Sequence, residues 1–306
     1  MEEVINGILI REVETKNIMT KSSLPVGGYS VNPYVGCTHA CKYCYASFMK
    51  RFTGHKEEWG TFLDVKHWPE IKNPKKYAGQ RVVIGSVTDG YNPQEEQFGN
   101  TRKLLEQLIG SDADILICTK SDLVVRDIDL LKKHGRVTVS WSINTLDENF
   151  KNDMDSASSI ERRIAAMKQV YEAGIRTVCF VSPVFPGITD FEAIFERVKD
   201  QCDLFWLENL NLRGGFKKTI MDYIAGKYPD LVPLYDEIYN KHNRSYFEAL
   251  EVKAEKMAKK YDCAFVDNEM PYGRVPQGHP VIVDYFYHEE IRGCLLYTSP
   301  SPRDIS

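Results

Sequence analysis

The sequence predicts an α/β protein: a partial, TIM-like (β/α)6 barrel followed by a mainly helical C-terminal appendage. Three observations carry this. Strand-like runs rich in Val, Ile and aromatic residues alternate with helical patterns up to residue 215, the pattern turns helical from Phe216, and 306 residues at 43% hydrophobic content suffice for one large core. Strand–helix–strand units of this sort form parallel sheets with right-handed crossovers, and six of them close only part of a ring.

Residues 1–27 read as an N-terminal extension, 28–215 as the barrel and 216–293 as the appendage. The candidate strands are 31–35, 81–86, 114–119, 136–143, 176–182 and 203–208, bounded by Gly, Asp or Asn. Leu104, Leu105 and Leu108 predict a helix over 101–109, and Ile164, Met167, Val170 and Tyr171 predict one over 160–173. In the appendage, helical apolar spacing recurs at Ile220, Tyr223 and Ile224, at Leu234, Tyr235, Ile238 and Tyr239, and at Tyr246, Phe247 and Leu250. Two strand-like runs, 263–266 and 281–287, follow, and the whole segment is expected to cover the barrel's open side. His288-Glu-Glu290 reads as surface.

The net charge of −4 argues against a strongly basic nucleic-acid footprint but not against a local one. Lys72-Asn-Pro-Lys-Lys-Tyr-Ala-Gly-Gln-Arg81 is the best basic patch containing an aromatic residue, a solvated loop being the commoner explanation and phosphate binding the alternative. The N-terminus carries acid where a signal peptide needs base, and no stretch approaches a membrane span, so a cytoplasmic protein is expected. The end of the chain, Cys294-Leu-Leu-Tyr-Thr-Ser-Pro-Ser-Pro-Arg-Asp304, reads as an in-frame translation of a sequencing-library transposase adapter, so 294–306 is set apart from fold reasoning.

The chemistry concentrates in Cys37-Thr-His-Ala-Cys41-Lys-Tyr-Cys44. Three thiolates at spacings of four and three residues can hold one edge of an iron–sulfur cube, and three protein ligands leave one iron open to a small molecule. A structural zinc knuckle needs a second ligand pair at short spacing, whereas Cys118, Cys179, Cys202, Cys263 and Cys294 stand singly. Tyr43, just before the last cysteine, can lie against an adenine ring or fill a core.

This pattern resembles that of the radical S-adenosylmethionine (SAM) enzymes, and Asn32-Pro-Tyr-Val-Gly-Cys37 with the run that follows is similar to their spore photoproduct lyase-related branch. Gly85-Ser-Val-Thr-Asp89, Thr119-Lys-Ser121, Ser140-Trp-Ser-Ile-Asn144, Ser159-Ile-Glu-Arg-Arg163 and Ser182-Pro-Val-Phe-Pro-Gly-Ile-Thr-Asp190 come in that branch's order. From Ser22 to Gly293 the chain most resembles the B member of the radical SAM mobile pair proteins.

The resemblance implies a [4Fe-4S] cluster on Cys37, Cys41 and Cys44, with S-adenosylmethionine chelating the open iron. It implies cofactor contacts from Tyr43, Ser86, Asp89, Ser142, Asn144, Arg163, Pro183 and Asn209, with Arg163 matching the cofactor's carboxylate and Arg162 as its rival. The activity implied is generation of a 5′-deoxyadenosyl radical for hydrogen abstraction, fed by flavodoxin or ferredoxin and acting beside a second radical SAM protein. A photoproduct-lyase-like repair enzyme is the alternative within that chemistry. A non-catalytic iron–sulfur redox sensor and a zinc-stabilised nucleic-acid-binding protein are the alternatives outside it.

Overall fold

The computed structural model describes residues 2–22, 28–267 and 280–287, so Cys294, His288-Glu-Glu290 and the adapter-like tail lie outside the described residues. The strands are β1 (Glu2–Ile5), β2 (Ile8–Glu14), β3 (Thr20–Lys21), β4 (Tyr29–Val31), β5 (Tyr34–Val35), β6 (Phe62–His67), β7 (Arg81–Ile84), β8 (Asp114–Thr119), β9 (Arg136–Ser142), β10 (Arg176–Val184), β11 (Leu204–Asn209), β12 (Ala264–Asp267) and β13 (Val281–Asp284).

The large sheet runs in the order β12-β13-β11-β10-β9-β8-β7-β4-β3. From β4 to β11 its neighbours pair in parallel, and these are the six barrel strands the alternation predicts. β13 and β12 then continue the sheet in parallel beyond β11. The runs expected inside the appendage therefore lengthen the barrel's edge, because Val281, Ile282 and Val283 find their partners at Leu204, Phe205 and Trp206, far away in sequence.

A second correction concerns residues 31–35, expected as one strand. Pro33 cannot donate to a ladder, and the Asn32 side chain is engaged by Ser86 and by the Val87 amide. The chain therefore leaves the barrel after β4 and re-pairs as β5 in a second sheet, ordered β1-β2-β6-β5. β1 and β2 form a hairpin whose turn residues, Asn6 and Gly7, take φ of 51° and 79°, the left-handed pair that matches strand twist.

Side chains alternate across the barrel wall. Ile84, Ile117, Val139, Trp141, Val181 and Phe205 face outward into a core completed by Leu104, Ile164, Met167 and Ile194 from the surrounding helices. Val83, Leu116, Val178, Leu204, Trp206 and Val283 face the lumen. The helices expected at 101–109 and 160–173 form at Asn100–Gln107 and Ile160–Glu172, the latter capped by Ser159, whose side chain accepts from the Arg162 amide. The appendage helices Phe216–Lys227, Val232–Tyr239 and Ser245–Lys260 follow. Ile220, Ile224 and Tyr235 pack with Phe150, Phe185, Leu210 and Tyr43, which brings the appendage against the cysteine loop.

Candidate functional site

β5 delivers the chain to Gly36, whose φ is +90°. A Cβ there would meet the Phe62 carbonyl oxygen at 2.4 Å, so the turn into Cys37 requires glycine. The loop is then fastened on several sides. Thr88 Oγ1 donates to the Gly36 carbonyl at 2.5 Å, His39 Nε2 meets Asp89 Oδ2 at 2.9 Å, and the Lys42 and Ser156 amides bond the carbonyls of Met154 and His39 at 2.9 and 2.8 Å.

Cys37, Cys41 and Cys44 are free thiols of intermediate exposure. Burial pushes the Cys37 thiol up, and Asp89, Cys41 and Cys44 add to it, so the three sulfurs share one electrostatic neighbourhood. At Cys41 burial pushes the thiol up to about 12 against the opposing charge of Lys120. Among the described residues, the one group of three His, Cys, Asp or Glu ligand atoms within 4.8 Å of one another is Glu251, Asp267 and Asp284. Three cysteine sulfurs in one short loop are the donor set of an iron–sulfur core with one iron left open.

The predicted cofactor contacts divide into two sets. Asp89 accepts from Thr119 Oγ1 and from the Tyr91 and Lys120 amides as well as meeting His39. Burial alone would raise its carboxyl, but the His39 interaction and the two amides hold it below the usual carboxylate range. Ser86 Oγ lies 2.5 Å from Ser30 Oγ and 3.0 Å from Asn32 Nδ2. Asp89 ties the cysteine loop to the ends of β7 and β8, while the Ser86 hydroxyl holds β4 and its carbonyl accepts from the hydroxyl of Tyr45, the residue after Cys44. Asn209 Oδ1 accepts from the Tyr287 amide at 2.8 Å, and the peptide before Pro183 is cis.

Arg163 is placed differently from the expectation. Its guanidinium is fully buried and donates to the carbonyls of Ser158 and Ser142 and to Asp155 Oδ1 at 2.8 to 3.0 Å, so it is occupied inside the protein. Tyr43 is likewise packed, 5.5 Å from Phe185 in a T-shaped contact, with its hydroxyl donating to Asp155 Oδ2 at 3.2 Å.

By contrast, Asn144 Nδ2 and Ser140 Oγ at the end of β9 are buried without a hydrogen-bond partner. Lys120 is not among the cofactor contacts expected from the sequence, yet the fold brings it to the cysteine loop. It follows β8 directly, its ammonium lies 5.7 Å from the Tyr43 ring centre, and Cys41 and Asp155 hold it above its ordinary value although burial works against the charge. It stands inside the quoted Thr119-Lys-Ser121 run, but only the folded chain shows that its side chain reaches the cysteine loop.

A parallel partial barrel, with three unpaired thiols in a loop at its mouth and unused polar groups at the end of β9, defines the radical SAM class of enzyme. The chain belongs to the Radical SAM superfamily, which it matches over residues 31–198, and its cofactors are a [4Fe-4S] cluster and S-adenosylmethionine. It is 36% identical over 236 residues to an uncharacterized protein of Methanocaldococcus jannaschii, covering 76% of this chain and 88% of that one. It is 27% identical over 180 residues to the Radical SAM Nalpha-GlyT isomerase of Pseudomonas phage M6, covering 57% and 36% of the two chains. Its fold is similar to that of a spore photoproduct lyase solved with AdoMet and a dinucleoside spore photoproduct, with a TM-score of 0.54 and 19% identity over 72% of this chain and 66% of that one. No helix among the described residues is long and apolar enough to cross a membrane.

Proposed function

We propose that Cys37, Cys41 and Cys44 hold the cluster, that S-adenosylmethionine lies across the ends of β7 to β10, and that the enzyme abstracts hydrogen from a substrate at the barrel mouth. The observation that carries this is the set of three free thiols in a loop fastened through Asp89 to the ends of β7 and β8, with unused buried polar atoms of Ser140 and Asn144 on the adjacent β9. When bound, the cofactors supply reductive sulfonium cleavage and hydrogen-atom abstraction, with the electron delivered by a protein such as flavodoxin or ferredoxin. Ser140 and Asn144 bond the ribose hydroxyls, with Ser142 beside them. Lys120 faces the cofactor carboxylate, the role expected of Arg163. Asp89 and Ser86 act on this site by holding the loop, and Pro183 and Asn209 border it. Trp206, with Phe180 and Tyr285 in edge contact at 5.5 and 5.7 Å, walls the lumen against water. Anaerobic reconstitution with iron and sulfide tests the ligand set: wild type is expected to take up one cluster, and alanine at any of the three cysteines is expected to abolish it.

A second reading, photoproduct-lyase-like repair, needs a thiol hydrogen donor, and one observation favours it. Cys118 packs with the lumen cluster and is partly exposed, whereas Cys179 and Cys202 are buried in the outer core. Under that reading Cys118→Ala leaves cofactor cleavage intact and diverts the substrate radical to other products.

A further inference from the structure

A groove of 840 Å³ lies on the flank of the cysteine loop, outside the site described above. Lys16 and Lys21, Lys66, and Lys76 line it from three separate stretches of chain, together with Tyr29 and Phe52. None of the four lysines forms an ion pair within the described residues, and Lys16, Lys21 and Lys76 are exposed. Two carboxylates also line the groove, Glu14 and Asp64, but Asp64 Oδ1 is held by His55 Nε2 at 2.8 Å. Burial pulls the Lys66 ammonium below its ordinary value, with Asp64 opposing. On a chain of net charge −4, this wall is a local concentration of positive charge.

We propose that the groove binds the phosphodiester backbone of a single-stranded nucleic acid and leads it to the barrel mouth. Lysines on separate elements match a repeating charge better than a single phosphate, and aromatic rings interleaved with cations supply stacking that every base can use. The basic patch read from the sequence contributes only part of this surface. Lys76 joins the groove, while Arg81 turns away to pair with Asp114 at 2.9 Å. The inner end approaches the cysteine loop, since Val35 and Lys66 also border a smaller cavity lined by Asn32, Gly36 and Val87. Duplex DNA, whose bases are stacked inside, offers no ring to Tyr29 or Phe52.

The test needs neither cluster nor cofactor cleavage, so its outcome is separate from that of the radical reading. Fluorescence anisotropy of the full chain with a short labelled single-stranded DNA is expected to show binding that weakens with salt. Four neutralised phosphates predict a log–log slope of about −2.8, taking roughly −0.7 for each. The double variant Lys21→Gln/Lys76→Gln is expected to lower the slope by about 1.4 and to weaken binding, and Lys21→Arg/Lys76→Arg to retain both, with melting temperatures unchanged because these side chains are exposed. Equal binding by wild type and the glutamine variant overturns the proposal, as does tighter binding of the duplex. Pyrophosphate binding that depends on Lys21 and Lys76, without strand binding, assigns the groove to a free phosphate compound and overturns it too.

Discussion

Arg163 and Lys120 show how a single side chain changes role once its surroundings are known. Both are cations in motifs legible in the sequence, but the Arg163 partner, Asp155, lies eight positions upstream and outside any motif. Lys120→Gln is expected to weaken S-adenosylmethionine binding by roughly 10- to 100-fold, the value of a charge-assisted hydrogen bond of about 1.5–3 kcal/mol, without changing stability. Arg163→Gln leaves Asp155 buried without its guanidinium and should cost about 3–5 kcal/mol in a urea titration. The reverse pattern would return the carboxylate role to Arg163. Asp284 offers a pH test. Burial pushes its carboxyl up to about 7, the Phe286 amide opposes this, and Glu251 and Asp267 add to it. The folded state therefore binds more protons than the unfolded chain between the ordinary carboxyl value and pH 7, so stability falls as pH rises through that window. Asp284→Asn is expected to raise Tm at pH 8 and to change it little at pH 4; equal shifts at both pH values would contradict this.

At the scale of elements, the six barrel strands were legible because each carries β-branched and aromatic residues between turn residues. β1, β2 and β6 were not: β1 is almost wholly exposed, and β2 presents polar residues to solvent at alternate positions. Their sheet depends on β6, placed some fifty residues later by pairing that no local pattern encodes. β12 and β13 were seen as strands, but their place at the barrel edge is set by register with β11. The three cysteines were legible from spacing alone, whereas the Asp155, His39 and Asn32 contacts that fix their loop depend on tertiary structure. Trp141 measures how far the barrel depends on its outer core. It is fully buried on β9, with its indole N–H donating to the Ser121 carbonyl at 3.0 Å. Trp141→Ala should cost about 3–5 kcal/mol of stability by chemical denaturation, and a loss below 1 kcal/mol would mean that the barrel tolerates a cavity there.

For the molecule as a whole, one parallel sheet gathers the cysteine loop and the unused polar atoms of Ser140 and Asn144 at the same ends of its strands, where a parallel barrel assembles its site. The appendage closes on that mouth against Tyr43, Phe150 and Phe185. The central claim is that this end makes a radical from S-adenosylmethionine. The most direct measurement is 5′-deoxyadenosine formed by the anaerobically reconstituted protein with dithionite and S-adenosylmethionine, compared between wild type and Cys41→Ala. Production by wild type and its loss in the variant is the predicted result; an assembled cluster that never cleaves the cofactor would contradict the claim and leave a redox sensor, and zinc in place of iron would contradict the cluster itself.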